Sequence, residues 1–148
     1  MKALFPLAAL IVLAAGPALA DPCTAVPDRG PTPEWLRSGR TFSGPVTYVG
    51  DGDSLCVAAV RGREHDRSTW VEVRVADFYA PELSEPGGRE ARETLRTLAM
   101  GRTLTCRAGR RSWDRVVAEC RMDGAALGTL MARAGVVEGG RGHAHGGQ

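Results

Sequence analysis

The sequence predicts an α+β fold, mainly β: a small barrel of five short strands covered by two helices. Three observations predict it. Five short runs rich in β-branched and apolar residues are separated by Gly, Pro and Asp turn signals. One helical stretch falls after the third run and another after the fifth, the element order of a barrel with helices on its surface. The chain has 148 residues, and once an apolar opening is set aside it can bury one modest core and no more.

The opening runs from Met1-Lys2 through the apolar stretch Leu4 to Leu13 and closes on Ala18-Leu19-Ala20. A charged start, a hydrophobic middle and an A-x-A end describe an export signal. The apolar stretch is shorter than the roughly 20 residues of a membrane-spanning helix, and Pro6 and Pro17 interrupt it. Residues 1–20 are therefore expected to be cleaved, giving a periplasmic or secreted protein with no membrane segment. Residues 21–40 carry Pro22, Pro27, Pro31 and Pro33 and read as an extended leader lying along the domain.

From Phe42 the texture becomes strand-like. Residues 46–49 and 54–58 are two strands joined by the Asp-Gly turn Gly50-Asp51-Gly52-Asp53. The polar stretch 61–68 is a longer turn, and residues 70–78 alternate as a third strand. Residues 89–100 place Ala91, Leu95, Leu98 and Ala99 at helical spacing, with Gly101 as a stop. Residues 103–106 and 115–120 are the fourth and fifth strands around a basic turn at 109–114, and Asp123-Gly124 marks another turn. A last helix over 126–134 carries Leu127, Leu130, Met131 and Ala134 on one side. The domain thus spans 41–138, and the Gly/His-rich stretch 139–148 reads as a disordered tail. His143 and His145 in that tail receive no role.

Four cysteines in an exported chain favour two disulfides, and no C-x-x-C metal spacing is present. Three pairings are possible. Cys106 and Cys120 end two runs that could be neighbours, which leaves Cys23 for Cys56; buried free thiols are the competing expectation. Formal charge is +2, and loss of Lys2 with the signal leaves +1, so no strongly basic body announces a polyanion partner. Every Lys or Arg after Lys2 is an arginine, clustered over 61–67, 89–96 and 107–115. Arginine is the better bidentate phosphate ligand, although a GC-rich genome produces the same bias.

Three segments carry a resemblance. Asp51-Gly52-Asp53-Ser54-Leu55, then Arg74-Val75-Ala76-Asp77-Phe78-Tyr79-Ala80-Pro81-Glu82, then Trp113-Asp114-Arg115 resemble, in this order, the motifs of the staphylococcal-nuclease (thermonuclease) family. The likeness runs from about Phe42 to Val137. It implies a five-stranded OB-type barrel and a calcium-dependent hydrolase of DNA and RNA, with nucleic acid as the partner; the chain itself is expected to be a monomer.

Such chemistry must neutralise an anionic phosphodiester, stabilise a pentacoordinate phosphorus and activate water. By the resemblance Asp53 is the principal metal carboxylate, the backbone carbonyl of Ala80 a further oxygen ligand, and calcium prefers such hard donors. Arg74 and Arg115 match the arginines that grip the phosphate, a task suited to planar guanidinium groups. Glu82 matches the glutamate that acts as general base towards water. Trp113 stands where tyrosine is frequent, able either to stack on a base or to pack in the core. The chain departs from the pattern at Tyr79, which occupies the position of the second metal aspartate; a phenol is a poor calcium ligand, and there it becomes a substrate-facing aromatic. Asp77, two residues earlier and on the same face of a strand, is a speculative replacement about 6.5 Å away. The expectation is a metal-dependent nuclease. Its rival is a non-catalytic polyanion-binding barrel of the cell envelope that has lost the metal, and a disulfide-rich domain with no nucleic-acid role is a third reading.

Overall fold

A computed structural model describes residues 21–139. The expected export signal and nearly all of the Gly/His-rich tail lie outside the described residues. The elements are β1 (Thr41–Val49), β2 (Ser54–Ala58), β3 (Trp70–Val75), α1 (Gly88–Ala99), β4 (Thr103–Ser112), β5 (Arg115–Met122), β6 (Ala125–Ala126) and α2 (Leu127–Arg133). Antiparallel pairing gives the order β3-β2-β1-β4-β5, and a parallel β3–β5 ladder closes the ring into a mixed five-stranded, OB-like barrel. Among the described residues no helix is long and apolar enough to cross a membrane.

Alternation builds the interior. Leu104, Cys106 and Ala108 on β4 and Val116, Ala118, Cys120 and Met122 on β5 point inward while their neighbours face out. Leu55, Val57, Val71 and Val73 fill the opposite wall. Ala91, Leu95 and Ala99, one helical turn apart, lay α1 on the barrel, and Leu127 and Met131 do the same for α2. The leader packs on the barrel through Val26 and Leu36, and the Ala25 amide donates to the Trp70 carbonyl at 3.0 Å.

Both disulfides form, in the expected pairing. Cys106 and Cys120 are direct cross-strand partners, and Cys23 bridges to Cys56 on β2. Three expectations on the elements are corrected. The third strand ends at Val75 rather than 78, because Phe78 turns into the core and the Ala80 amide is taken by Asp53. The fourth and fifth strands run on to a tight turn at Trp113-Asp114, so Gly109 lies within β4, where a Cβ would come 2.7 Å from the Val117 carbonyl oxygen. Asp123 and Gly124, both with left-handed φ, fold Ala125–Ala126 back on β5 as a sixth strand that two alanines did not announce.

Candidate functional site

The β1–β2 turn builds the centre of the site. The Asp53 amide donates to Asp51 Oδ1 at 2.9 Å, an Asx turn, and Gly50 closes the hairpin on the Ser54 carbonyl. Gly52 is required for close approach: a Cβ there would lie 2.4 Å from Ala80 Cβ and 2.7 Å from Ala91 Cβ, so the turn is pressed between the loop after β3 and α1. This pressing buries Asp53, which is 6% exposed.

Asp53 Oδ2 accepts from the Ala80 amide at 2.7 Å and forms an ion pair with Arg74 Nη1 at 2.8 Å. Burial pushes the Asp53 carboxyl up to about 7, against the opposing Arg74 guanidinium, with Asp51 adding to the rise. Arg74 stands opposite Ser54 in the β2–β3 ladder, which places it over the turn. Its Nη1 also donates to the carbonyls of Val75 and Phe78, each at 3.2 Å, and the Tyr79 ring lies 5.0 Å from its guanidinium carbon. Nε and Nη2 make no hydrogen bond to the described residues, and neither is sealed from solvent. One edge of the guanidinium is thus anchored and the other is open.

Asp53, Arg74, Tyr79 and Ala80 are brought together. Arg115 begins β5, half-buried and without an ion pair among the described residues; the parallel register Val73↔Val116 sets it beside Glu72, one alternation from Arg74 on the same outer face. Trp113 is 86% exposed at the apex of the β4–β5 turn, which removes core packing as its role. Glu82 is exposed on the loop before α1; its amide donates to Glu85 Oε2, and its carboxylate makes no bond among the described residues.

Asp77 is not brought to Asp53. Its Oδ2 accepts from the Gly128 amide at 3.2 Å and holds the start of α2. β3 ends at Val75, yet Asp77 and Tyr79 are both exposed while Phe78 and Ala80 are buried; what commits the Asp77 carboxylate elsewhere is its bond to α2.

The implied calcium does not fit the residues around Asp53. A guanidinium and an amide already share the Oδ2 oxygen, the second carboxylate position is Tyr79, and Asp77 is committed to α2. The Ala80 carbonyl accepts no hydrogen bond from the described residues, but Asp53 facing an arginine, Asp51 already accepting the Asp53 amide, and one carbonyl are a poor calcium cage.

Other carboxylates were not legible as site residues. Glu138 Oε1 accepts from the Tyr79 amide at 3.1 Å, bringing the segment after α2 to the site's edge. Glu72, buried on β3, gathers with Asp21 and Asp114. Burial, with Asp21, Asp114 and Asp51 adding to it and Arg115 opposing, pushes its carboxyl up to about 7. In the sequence Glu72 is one charged residue in an alternating strand, and nothing there announces its neighbours.

No protein-family model matches the chain, and no curated protein matches it. The likeness to the staphylococcal-nuclease family is carried by the three motifs themselves.

Proposed function

We propose that this chain is an exported nuclease that grips a nucleic-acid phosphodiester with Arg74 and Arg115 and hydrolyses it. The observation that carries this reading is the anchored guanidinium of Arg74, with Nη1 fixed by Asp53, Val75 and Phe78 and its other edge open. Backbone binding alone is served by mobile surface arginines. A guanidinium fixed in place beforehand, at the cost of burying its counter-ion, suits stabilisation of charge that develops only in the transition state.

In this reading Arg74 presents Nε and Nη2 to two phosphoryl oxygens, and Arg115 adds a second positive group along the outer face. Tyr79 and Trp113 offer aromatic faces to bases or sugars, which favours single-stranded and sequence-tolerant substrates. Glu82 supplies a carboxylate base on the loop before α1, brought to the attacking water when substrate binds. Two disulfides accord with life outside the cytoplasm.

One observation favours a second reading, binding without cleavage: Asp53 already neutralises Arg74, and the second acidic ligand is replaced by Tyr79. Incubation of the purified protein with labelled single-stranded DNA and RNA, with calcium, with other divalent ions and with chelator, separates the two. Cleavage that an Arg74→Ala, Glu82→Ala double variant lacks supports the nuclease. Salt-dependent binding with no cleavage under any ion, by folded protein, replaces it with the binding module.

A further inference from the structure

We propose that Arg111 is a positioning residue that sets Trp113 against the leader and so forms a cleft for one unpaired, amino-bearing base of a single strand. This rests on the nucleic-acid reading above and deepens it. The cleft is a cavity of about 300 Å³ lined by Asp28 of the leader and by Trp113 and Asp114 of the β4–β5 turn.

One guanidinium holds both walls. Arg111 Nη1 donates to the Gly30 carbonyl at 2.8 Å and Nη2 to the Pro27 carbonyl, so the two bonds bracket Asp28. Its Nε donates to the Trp113 carbonyl on the other wall. The register of β4 and β5 shifts between Ala108 and Arg111, a bulge of the kind that re-aims a side chain. Trp113 sits at φ 62°, a conformation that bulky residues rarely adopt, and the Nε bond helps to hold it there. The leader is tethered to the barrel independently, because Cys23 is bridged to Cys56 on β2.

What the walls offer selects the occupant. Trp113 is 86% exposed, which leaves its ring free to stack on a base. Arg111 spends its donors on carbonyls, and neither Asp28 nor Asp114 has an ion-pair partner among the described residues. Asp114 also lies against Asp21 and Glu72. Carboxylates gathered on this side repel a phosphate but accept hydrogen bonds from the exocyclic amino group of cytosine or adenine. The one donor on a thymine ring is flanked by two carbonyl oxygens, which the same carboxylates repel.

Fluorescence anisotropy of short labelled single strands of deoxycytidine, deoxyadenosine or deoxythymidine, with chelator to prevent cleavage, tests this on the oxidised protein. The parent is expected to bind the first two about fivefold or more tighter than the third. Folded Arg111→Ala should lose that preference, and Arg111→Lys should not restore it, because an ammonium lacks the planar fork that spans these carbonyls. Loss of folded protein alone would lower all three affinities together and leave their ratio unchanged. Asp28→Ala, at an exposed side chain, should narrow the preference and gives the same test should Arg111→Ala not fold. Equal affinity of the parent for the three strands overturns the cleft and leaves the nuclease reading standing. So does the parent's ratio in folded Arg111→Ala or in Asp28→Ala. No binding to any strand overturns the cleft and the nucleic-acid reading together.

Discussion

Arg74 Nη1 and Asp53 Oδ2 lie 2.8 Å apart in an ion pair whose carboxylate side is almost wholly buried. The pair joins the β1–β2 turn to the third strand, and the Ala80 amide on the same oxygen joins both to the loop that follows. Positioning of the site and cohesion of this end of the barrel are therefore one arrangement, and Arg74 cannot lose its positive charge without stranding a buried carboxylate.

Arg74→Ala should destabilise the fold by about 3–5 kcal/mol at pH 8, because it strands Asp53. The loss should shrink at pH 5. Without the guanidinium the folded-state pKa of Asp53 rises further above its ordinary value, so the folded state holds the proton more tightly and gains stability as pH falls. Urea denaturation at the two pH values measures this, and a deficit that grows in acid would count against the ion pair as described.

Gly52→Ala should cost roughly 1–3 kcal/mol. The added methyl would meet Ala80 and Ala91 well inside contact distance, and relief requires the turn to lift from α1. The same shift moves Asp53, so cleavage or binding should fall together with thermal stability. A variant as stable as the parent would show that the turn is less tightly pressed.

Trp113→Ala should leave the melting temperature within about 1 °C, since surface substitutions rarely matter to stability, and the side chain is almost fully exposed. Affinity for single-stranded oligonucleotide should drop by about 1–3 kcal/mol if the ring stacks on a base. Fluorescence anisotropy reads this directly, and unchanged affinity would remove Trp113 from the binding surface.

Glu72 gives a pH signature. Its folded-state pKa, raised to about 7, lies above the ordinary glutamate value, so its contribution is favourable in acid and is lost as pH rises from about 4.5 to 7. Asp21, Asp114 and Asp51 face it with the same charge and Arg115 opposes them. Between pH 4.5 and 7.5 the parent should lose on the order of 1–2 kcal/mol relative to Glu72→Gln, less than the full shift because solvent screens the open side. Parallel stability profiles for parent and variant would contradict this.

The parts of the fold that follow local periodicity were legible. The strand alternation and the Ala91-Leu95-Ala99 stripe carry their structural instruction in adjacent residues, and Cys106 and Cys120, expected at strand ends, pair from inside β4 and β5. The parallel closure of β3 on β5 is non-local and follows from no local pattern; the sequence reading reached a five-stranded barrel but not the ladder that closes it. Asp77 illustrates the limit: its carboxylate accepts from the Gly128 amide at the start of α2, and nothing near Asp77 in the sequence announces that distant partner. Similarly, Asp51, Asp53, Arg74 and Tyr79 could be picked out by type and order, but the pairing that fills Asp53 with Arg74 appears only once the turn is folded against the strand. Glu72, Asp21 and Asp114 are far apart in sequence, and a disulfide and a parallel ladder bring them together.

The most direct test of Arg74 as a preset phosphate clamp is single-turnover cleavage of a labelled single-stranded oligonucleotide by Arg74→Lys, beside the parent. Lysine keeps a positive charge for Asp53 and hence much of the stability, but it lacks the planar fork that reaches two phosphoryl oxygens. The clamp predicts a folded variant whose cleavage rate falls by about 100-fold or more, with binding weakened far less. A folded Arg74→Lys protein that cleaves at the parent's rate would contradict it, and the catalytic assignment of Arg74 would have to be given up.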